Sequence, residues 1–216
     1  MPVRDNPVPE PERVGVYVDG FNLYYGLRSL AGRRYLWLDL SALARRLLKP
    51  GQELCAVRYF TAPVRGEPAA LARQQTYQAA LETLGVDIVL GRFQERRDRC
   101  RLCGTSRRSY EEKQSDAALA SAIVADVALG AVDVVLLMSA DSDLCAAVEA
   151  VRGVDARRGA KTRVITVFPP GRRSDALRRA SDAWFPVGEA VIRRAQLPPL
   201  VHGRDGAVYH RPAHWN

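Results

Sequence analysis

Four aspartates stand where an apolar run ends or a helical pattern begins: Asp19, Asp116, Asp141 and Asp143. Asp141 and Asp143 follow Val134-Val135-Leu136-Leu137-Met138, separated from it only by Ser139-Ala140. Asp19 closes Val14-Gly15-Val16-Tyr17-Val18 in the same way and leads into Gly20-Phe21-Asn22. Carboxylates crowded together repel one another, and a divalent cation removes the conflict that would otherwise force one of them to take up a proton. Hard oxygen ligands suit Mg²⁺ or Mn²⁺, ions that keep several waters and share coordination with phosphates. The three histidines, His202, His210 and His214, all lie late in the chain, which argues against a zinc hydrolase site of the histidine kind.

The elements that must position these acids can be read from periodicity. Val14–Val18 and Val134–Met138 are unbroken apolar runs of the kind found in parallel strands covered on both faces. Further strands are predicted at Cys55–Ala62, Val86–Phe93 and Arg163–Phe168. Helical patterns lie between them: Leu23–Leu30 closed by Gly32, a segment after Ser41 ended by Pro50-Gly51, Pro68–Leu84 before Gly85, Ser115–Leu129 before Gly130, and Ser142 to about Val151. Short helices near Ser174–Ala180 and Gly188–Ala195 complete the pattern. Strands alternating with helices predict βαβ units and a parallel sheet. In such units each helix begins at the edge where the preceding strand ended, so Asp19, Asp116, Asp141 and Asp143 all belong to one edge. If the strands of Asp19 and Asp141 are neighbours, that edge is also the place where the sheet changes winding direction and a crevice for a ligand opens. Each acid alone has a plainer role: Asp116 and Asp143 as favourable charges at helix starts, Asp19 as a turn residue. A carboxylate placed directly after both central strands favours a metal site over these separate roles.

The chain of 216 residues can hold one sizeable core, and 47% hydrophobic with 26% charged residues are ordinary globular values. Lys+Arg 32 against Asp+Glu 24 gives +8, and the pI is about 9.7, a balance that attracts polyanions. Nearly all of that charge is arginine, Lys49, Lys113 and Lys161 being the only lysines, and arginine favours bidentate phosphate contacts. The same composition also describes a solvated Arg-rich surface. Met1–Arg13 carries Pro2, Pro7, Pro9 and Pro11 and lacks the apolar core of a secretory signal, and no run is long enough to span a membrane. A cytoplasmic protein with no membrane partner is expected, organised as a Pro-rich arm (1–13), one domain (14–197) and an irregular tail (198–216).

Three motifs in order carry a resemblance: Val16-Tyr17-Val18-Asp19-Gly20-Phe21-Asn22-Leu23, Tyr110-Glu111-Glu112-Lys113-Gln114-Ser115-Asp116 and Leu137-Met138-Ser139-Ala140-Asp141-Ser142-Asp143-Leu144. The chain resembles the NYN domains of the LabA-like group, relatives of the PIN-domain nucleases, over about Val14 to Leu197, and Pro212–Trp215 is similar to the end segment of some members. The resemblance implies a three-layer α/β/α PIN-like fold with a central parallel sheet of strand order 3-2-1-4-5. It also implies a Mg²⁺- or Mn²⁺-dependent ribonuclease site. By position, Asp19, Asp116, Asp141 and Asp143 correspond to the family's acidic cluster, with Asn22 and Ser139 as supporting polar residues. Ala140 departs from the family's frequent glycine. On this footing Asp19 and Asp141 are expected to ligate metal directly, and Asp116 and Asp143 through water or a second ion. Asn22 and Ser139 would orient ligands or the scissile phosphate.

Between Gln94 and Tyr110 the regular pattern breaks into a polar connection too long for a routine link. Arg96, Arg97, Arg99, Arg101, Arg107 and Arg108, with Lys113 at its end, would set positive charge beside the acidic edge and grip RNA phosphates without reading sequence. A solvated loop is the plainer alternative. Cys100 and Cys103 have the spacing of half a zinc knuckle, but no second half is visible, and reduced thiols on a turn are favoured over a zinc site. Two functions compete: a metal-dependent ribonuclease, and a non-catalytic RNA-binding or regulatory module that keeps the fold. A phosphomonoesterase lacks an evident nucleophile next to Asp19. The oligomeric state is open, with a homodimer among the options.

Overall fold

The computed structural model describes residues 10–99, 106–113, 115–204 and 206–215, with the backbone alone along 92–99 and 106–113. Strand β1 (Glu12–Asp19) turns Val14, Val16 and Val18 to one side and Tyr17 to the other, as the two-residue period of a strand requires. Strand β6 (Val134–Met138) does the same, with Val134, Leu136 and Met138 facing one layer and Val135 and Leu137 the other. Both strands are therefore covered on two faces, which is why their sequences are unbroken apolar runs.

On the first face lie α1 (Gly20–Ala31), α2 (Leu40–Leu47), α3 (Pro68–Glu82) and α7 (Glu189–Arg194), contributing Leu23, Leu43, Leu81 and Ile192 to one buried cluster. On the other lie α4 (Ser115–Ala128), α5 (Cys145–Arg158) and α6 (Asp175–Ala180), which bury Leu119, Ile123, Val148 and Leu177 in a second. The remaining sheet strands are β2 (Gln52–Thr61), β3 (Asp87–Leu90), β7 (Arg163–Phe168) and β8 (Ala183–Pro186). The order is β3-β2-β1-β6-β7-β8, and every neighbouring pair is parallel. Counted along the sheet's own strands this is 3-2-1-4-5 with a sixth strand added at the edge. β1 and β6 are neighbours, Val18 standing opposite Met138, so the winding reverses between them.

Buried polar links tie the helical layers to the sheet. Tyr17 donates its hydroxyl proton to Asp126 of α4 at 2.6 Å, and Arg58 of β2 pairs with the same carboxylate at 3.0 Å. Burial first, and then the hydrogen bond to Asp126, raises the Tyr17 phenol far above the ordinary tyrosine range, so it remains a donor. Asp39 caps α2 by accepting from Ala42 N at 2.8 Å, while the Ser41 hydroxyl donates to the Leu84 carbonyl at 3.0 Å.

Three segments differ from expectation. β8, only four residues long and ending in Pro186, has no strand signature in the sequence beyond Trp184-Phe185. The Arg-dense connection is an antiparallel hairpin of β4 (Arg92–Arg99) and β5 (Ser106–Lys113). The segment expected to be irregular carries an antiparallel pair, β9 (Leu200–His202) and β10 (Val208–His210), followed by a 3-10 turn that buries Trp215 to 8% exposure. Among the described residues no helix is long and apolar enough to cross a membrane.

Candidate acidic site at the carboxyl edge of the sheet

Asp19 is both the last residue of β1 and the N-cap of α1. Its backbone is still extended, at φ −73° and ψ 107°, so its carboxylate turns back over the first turn of the helix that it starts. One oxygen accepts from the backbone N of Asn22 at 3.0 Å. The other accepts from the Asn22 side-chain amide at 2.6 Å and from the Ser139 hydroxyl at 2.7 Å. Asp19 is only 4% exposed.

Ser139, fully buried, is the first residue past β6. Its Oγ donates to Asp19 and accepts from the backbone N of Asp141 at 3.0 Å, so one hydroxyl joins the ends of the two central strands. Asp141 repeats the role of Asp19. It caps the 3-10 turn Ser142–Leu144 from extended backbone, at φ −83° and ψ 122°, by accepting from Asp143 N at 3.0 Å. Every one of these hydrogen bonds to the two carboxylates comes from a neutral donor.

Asp19, Asn22, Ser139 and Asp141 thus form one hydrogen-bonded chain, with Asp143 attached through its backbone. Asp116 lies in the first turn of α4 and is exposed, and α4 packs against the 3-10 turn of Asp143. Among the described residues no three His, Cys, Asp or Glu side chains come close enough to share one ion. The four acids therefore share an edge rather than a closed cage. Their chemistry suits a hard cation in kind, being all oxygen. A carboxylate offers about four acceptor positions, and Asp19 uses three of them on Asn22 and Ser139, leaving it one.

The hairpin of β4 and β5 starts from the same edge. Gly91 N donates to the Thr61 carbonyl at the end of β2, and Lys113 at the end of β5 stands two residues before α4 begins. Arg96, Arg97 and Arg99 are on β4, opposite Ser109, Arg108 and Ser106, while Arg107 stands opposite Asp98. Arg101, Cys100 and Cys103 lie outside the described residues. Cys55 and Cys145 are free thiols, and burial pushes both above the ordinary cysteine range.

One residue beside the acids escapes motif reading. Tyr59 of β2 is 8% exposed, and its phenol is raised above the ordinary range by burial, against a Thr61 hydrogen bond, with the negative charge of Asp19 adding to the rise. The signal available was positional: Tyr59-Phe60-Thr61 also ends a buried strand at this edge, Phe60 being the register partner of Asp19.

A 6-hydroxy-3-succinoylpyridine 3-monooxygenase from Pseudomonas putida is 26% identical over 244 residues, covering 95% of this chain and 76% of its own length. A crystal structure of a protein of unknown function from Vibrio parahaemolyticus shares the fold, with a TM-score of 0.58 at 19% identity over 84% of this chain and 96% of that one. The NYN domain model matches residues 13–187, a span that contains Asp19, Asp116, Asp141 and Asp143 together with the sheet that carries them. With its central strands, its acidic edge and most of its length inside that match, the chain belongs to the NYN domain family.

Proposed function

We propose that this chain is a Mg²⁺- or Mn²⁺-dependent ribonuclease that hydrolyses RNA phosphodiester bonds at the edge where Asp19 and Asp141 meet. One observation carries the proposal: a single buried hydroxyl, that of Ser139, holds together the ends of the two strands between which the sheet reverses. Membership of the NYN family supports the same reading. A divalent ion bound there supplies an activated water and neutralises charge on the cleaved phosphate.

The chain's own residues then have distinct tasks. Asp19 and Asp141 would hold the ion through the acceptor positions that their caps leave open, with waters completing its coordination. Asn22 and Ser139 fix the Asp19 carboxylate, and Ser139 sets the turn that presents Asp141. Asp116 and Asp143, both exposed, are assigned to water-mediated contacts or a second ion. Lys113 and the arginines of the hairpin are assigned to the RNA backbone.

The test is incubation of labelled single-stranded and hairpin RNA with the purified chain in Mn²⁺, Mg²⁺ or chelator. Cleavage that needs metal and falls at least about a hundredfold in Asp141→Asn is expected. Binding without cleavage under every metal would establish instead a non-catalytic RNA-binding module, and cleavage undiminished in Asp141→Asn would remove the proposed site. A second reading, action on a small aromatic substrate, is favoured by the likeness to the Pseudomonas putida monooxygenase over 95% of this chain. Consumption of 6-hydroxy-3-succinoylpyridine by the same preparation would support it.

A further inference from the structure

We propose that the cavity between α1, the end of β2 and α3 receives an unpaired nucleotide, its base among aromatic rings and its phosphate among four arginines, next to Asp19. The cavity has a volume of about 690 Å³, within the range of small-ligand sites. Its inner wall is apolar and aromatic, formed by Leu23, Leu36, Tyr59, Tyr77 and Trp215, all at most 8% exposed. Tyr24 and Tyr25 stand at its mouth with ring centroids 5.3 Å apart, and Tyr25 is 53% exposed. The Arg28 guanidinium lies 5.7 Å from the Tyr24 ring centroid and that of Arg172 5.6 Å from the Tyr25 centroid, so a base stacking on the exposed Tyr25 would also meet cations.

The charges at this cavity favour an anion. Arg28, Arg33, Arg65 and Arg73 all line it. Desolvation first, and then the positive charge of Arg33, Arg73 and Arg28, holds His214 below the ordinary histidine range. Arg28 donates to the Tyr24 hydroxyl at 2.8 Å, and Glu67 lines the cavity too, yet neither Arg33 nor Arg73 forms an ion pair with a carboxylate among the described residues. Four arginines against one glutamate around one space match a phosphate better than the single charge of an aromatic carboxylate.

The cavity also adjoins the acidic edge by construction. Gly20, the residue directly after Asp19, forms part of its wall, and a Cβ there would stand 2.7 Å from the Phe60 carbonyl oxygen and 2.8 Å from the Tyr59 ring. Only glycine lets α1 approach β2 this closely. Tyr59 faces the cavity while sensing the charge of Asp19. A nucleotide seated here would set its neighbouring phosphodiester at that edge, so the inference deepens the ribonuclease reading and rests on it for its purpose, though not for the binding itself.

Binding is therefore measured in chelator, where no cleavage can occur, with adenosine 5′-monophosphate by calorimetry and a fluorescein-labelled single-stranded RNA pentamer by anisotropy. Both probes are expected to bind, and Arg73→Glu to weaken both by about tenfold or more. Tyr25→Ala, at an exposed position that leaves the core intact, is expected to weaken them severalfold, and Arg157→Glu on the opposite helical layer to leave them unchanged. Absence of nucleotide binding, equal binding by Arg73→Glu in a variant with an unchanged melting curve, or tighter binding of benzoate than of the nucleotide would each overturn the proposal. Metal-dependent cleavage persisting without nucleotide binding would refute this pocket alone. Nucleotide binding without cleavage under any metal would refute the ribonuclease alone.

Discussion

At the scale of single residues, Ser139 has the most consequences for its size. It has no exposed surface, and its hydroxyl is committed on one side to a carboxylate and on the other to a backbone amide. Ser139→Ala would leave one Asp19 oxygen short of a donor and the Asp141 amide short of an acceptor. The expected cost is about 1–3 kcal/mol of stability, read from urea denaturation, and a loss of about 10- to 100-fold in metal-dependent cleavage, read from initial rates. Ser139→Thr keeps the hydroxyl and is expected to recover part of the activity if its methyl can be housed. A fall in rate no larger than the fall in folded fraction would show that the residue supports only the fold. The acids next to it were legible in sequence because each follows an unbroken apolar run, and buried parallel strands leave that trace. What sequence could not give was the engagement of Asp19 and Asp141 as helix caps, because a cap and a metal ligand demand the same residue type after a strand. Nor could it give the distance of Asp116, since chain direction assigns an edge and says nothing about separation along it.

Among the elements, the hairpin of β4 and β5 was read as a loop for a physical reason. Its strands carry arginine, glutamate or serine at both phases of the two-residue period, so the alternation that betrays a half-buried strand is missing. β8 escaped in a different way, since four residues give too short a window for any period and its closing proline suits only an edge. The central strands and their helices, by contrast, follow the predicted order because each has a covered face that its sequence must match. The proposed contact of the hairpin's arginines with phosphate can be tested at the level of the element. Replacing 94–111 by a short Gly-Ser turn is expected to weaken RNA binding about tenfold or more and to flatten the dependence of log affinity on log salt. Adenosine 5′-monophosphate binding in the cavity should be unchanged by the same replacement. A salt dependence identical to that of the full chain would assign the hairpin to some other task.

For the molecule as a whole, the sheet separates two aromatic and aliphatic cores, and the segment after α7 completes one of them. Trp37 donates its indole N–H to the Pro198 carbonyl at 2.8 Å, and the Trp215 ring lies 6.3 Å from that of Trp37 and 5.7 Å from that of Tyr77. Trp215→Ala is expected to cost about 3–5 kcal/mol in urea denaturation, and to weaken nucleotide binding, because the same ring is part of the cavity wall. A variant that binds as well as the parent would detach Trp215 from the pocket while leaving its place in the core. The overall charge of +8 suits a polyanion partner.

The position of Trp215 also governs when the pocket can exist during synthesis. Chains fold from the N-terminal side as they emerge, and β1, α1, β2 and α3 are all made before residue 90. The cavity they outline stays open on one side until residue 215 has left the exit tunnel. A nascent chain thus carries the arginines and tyrosines of the cavity well before the ring that closes it, and the grip proposed here is completed only once residue 215 has emerged.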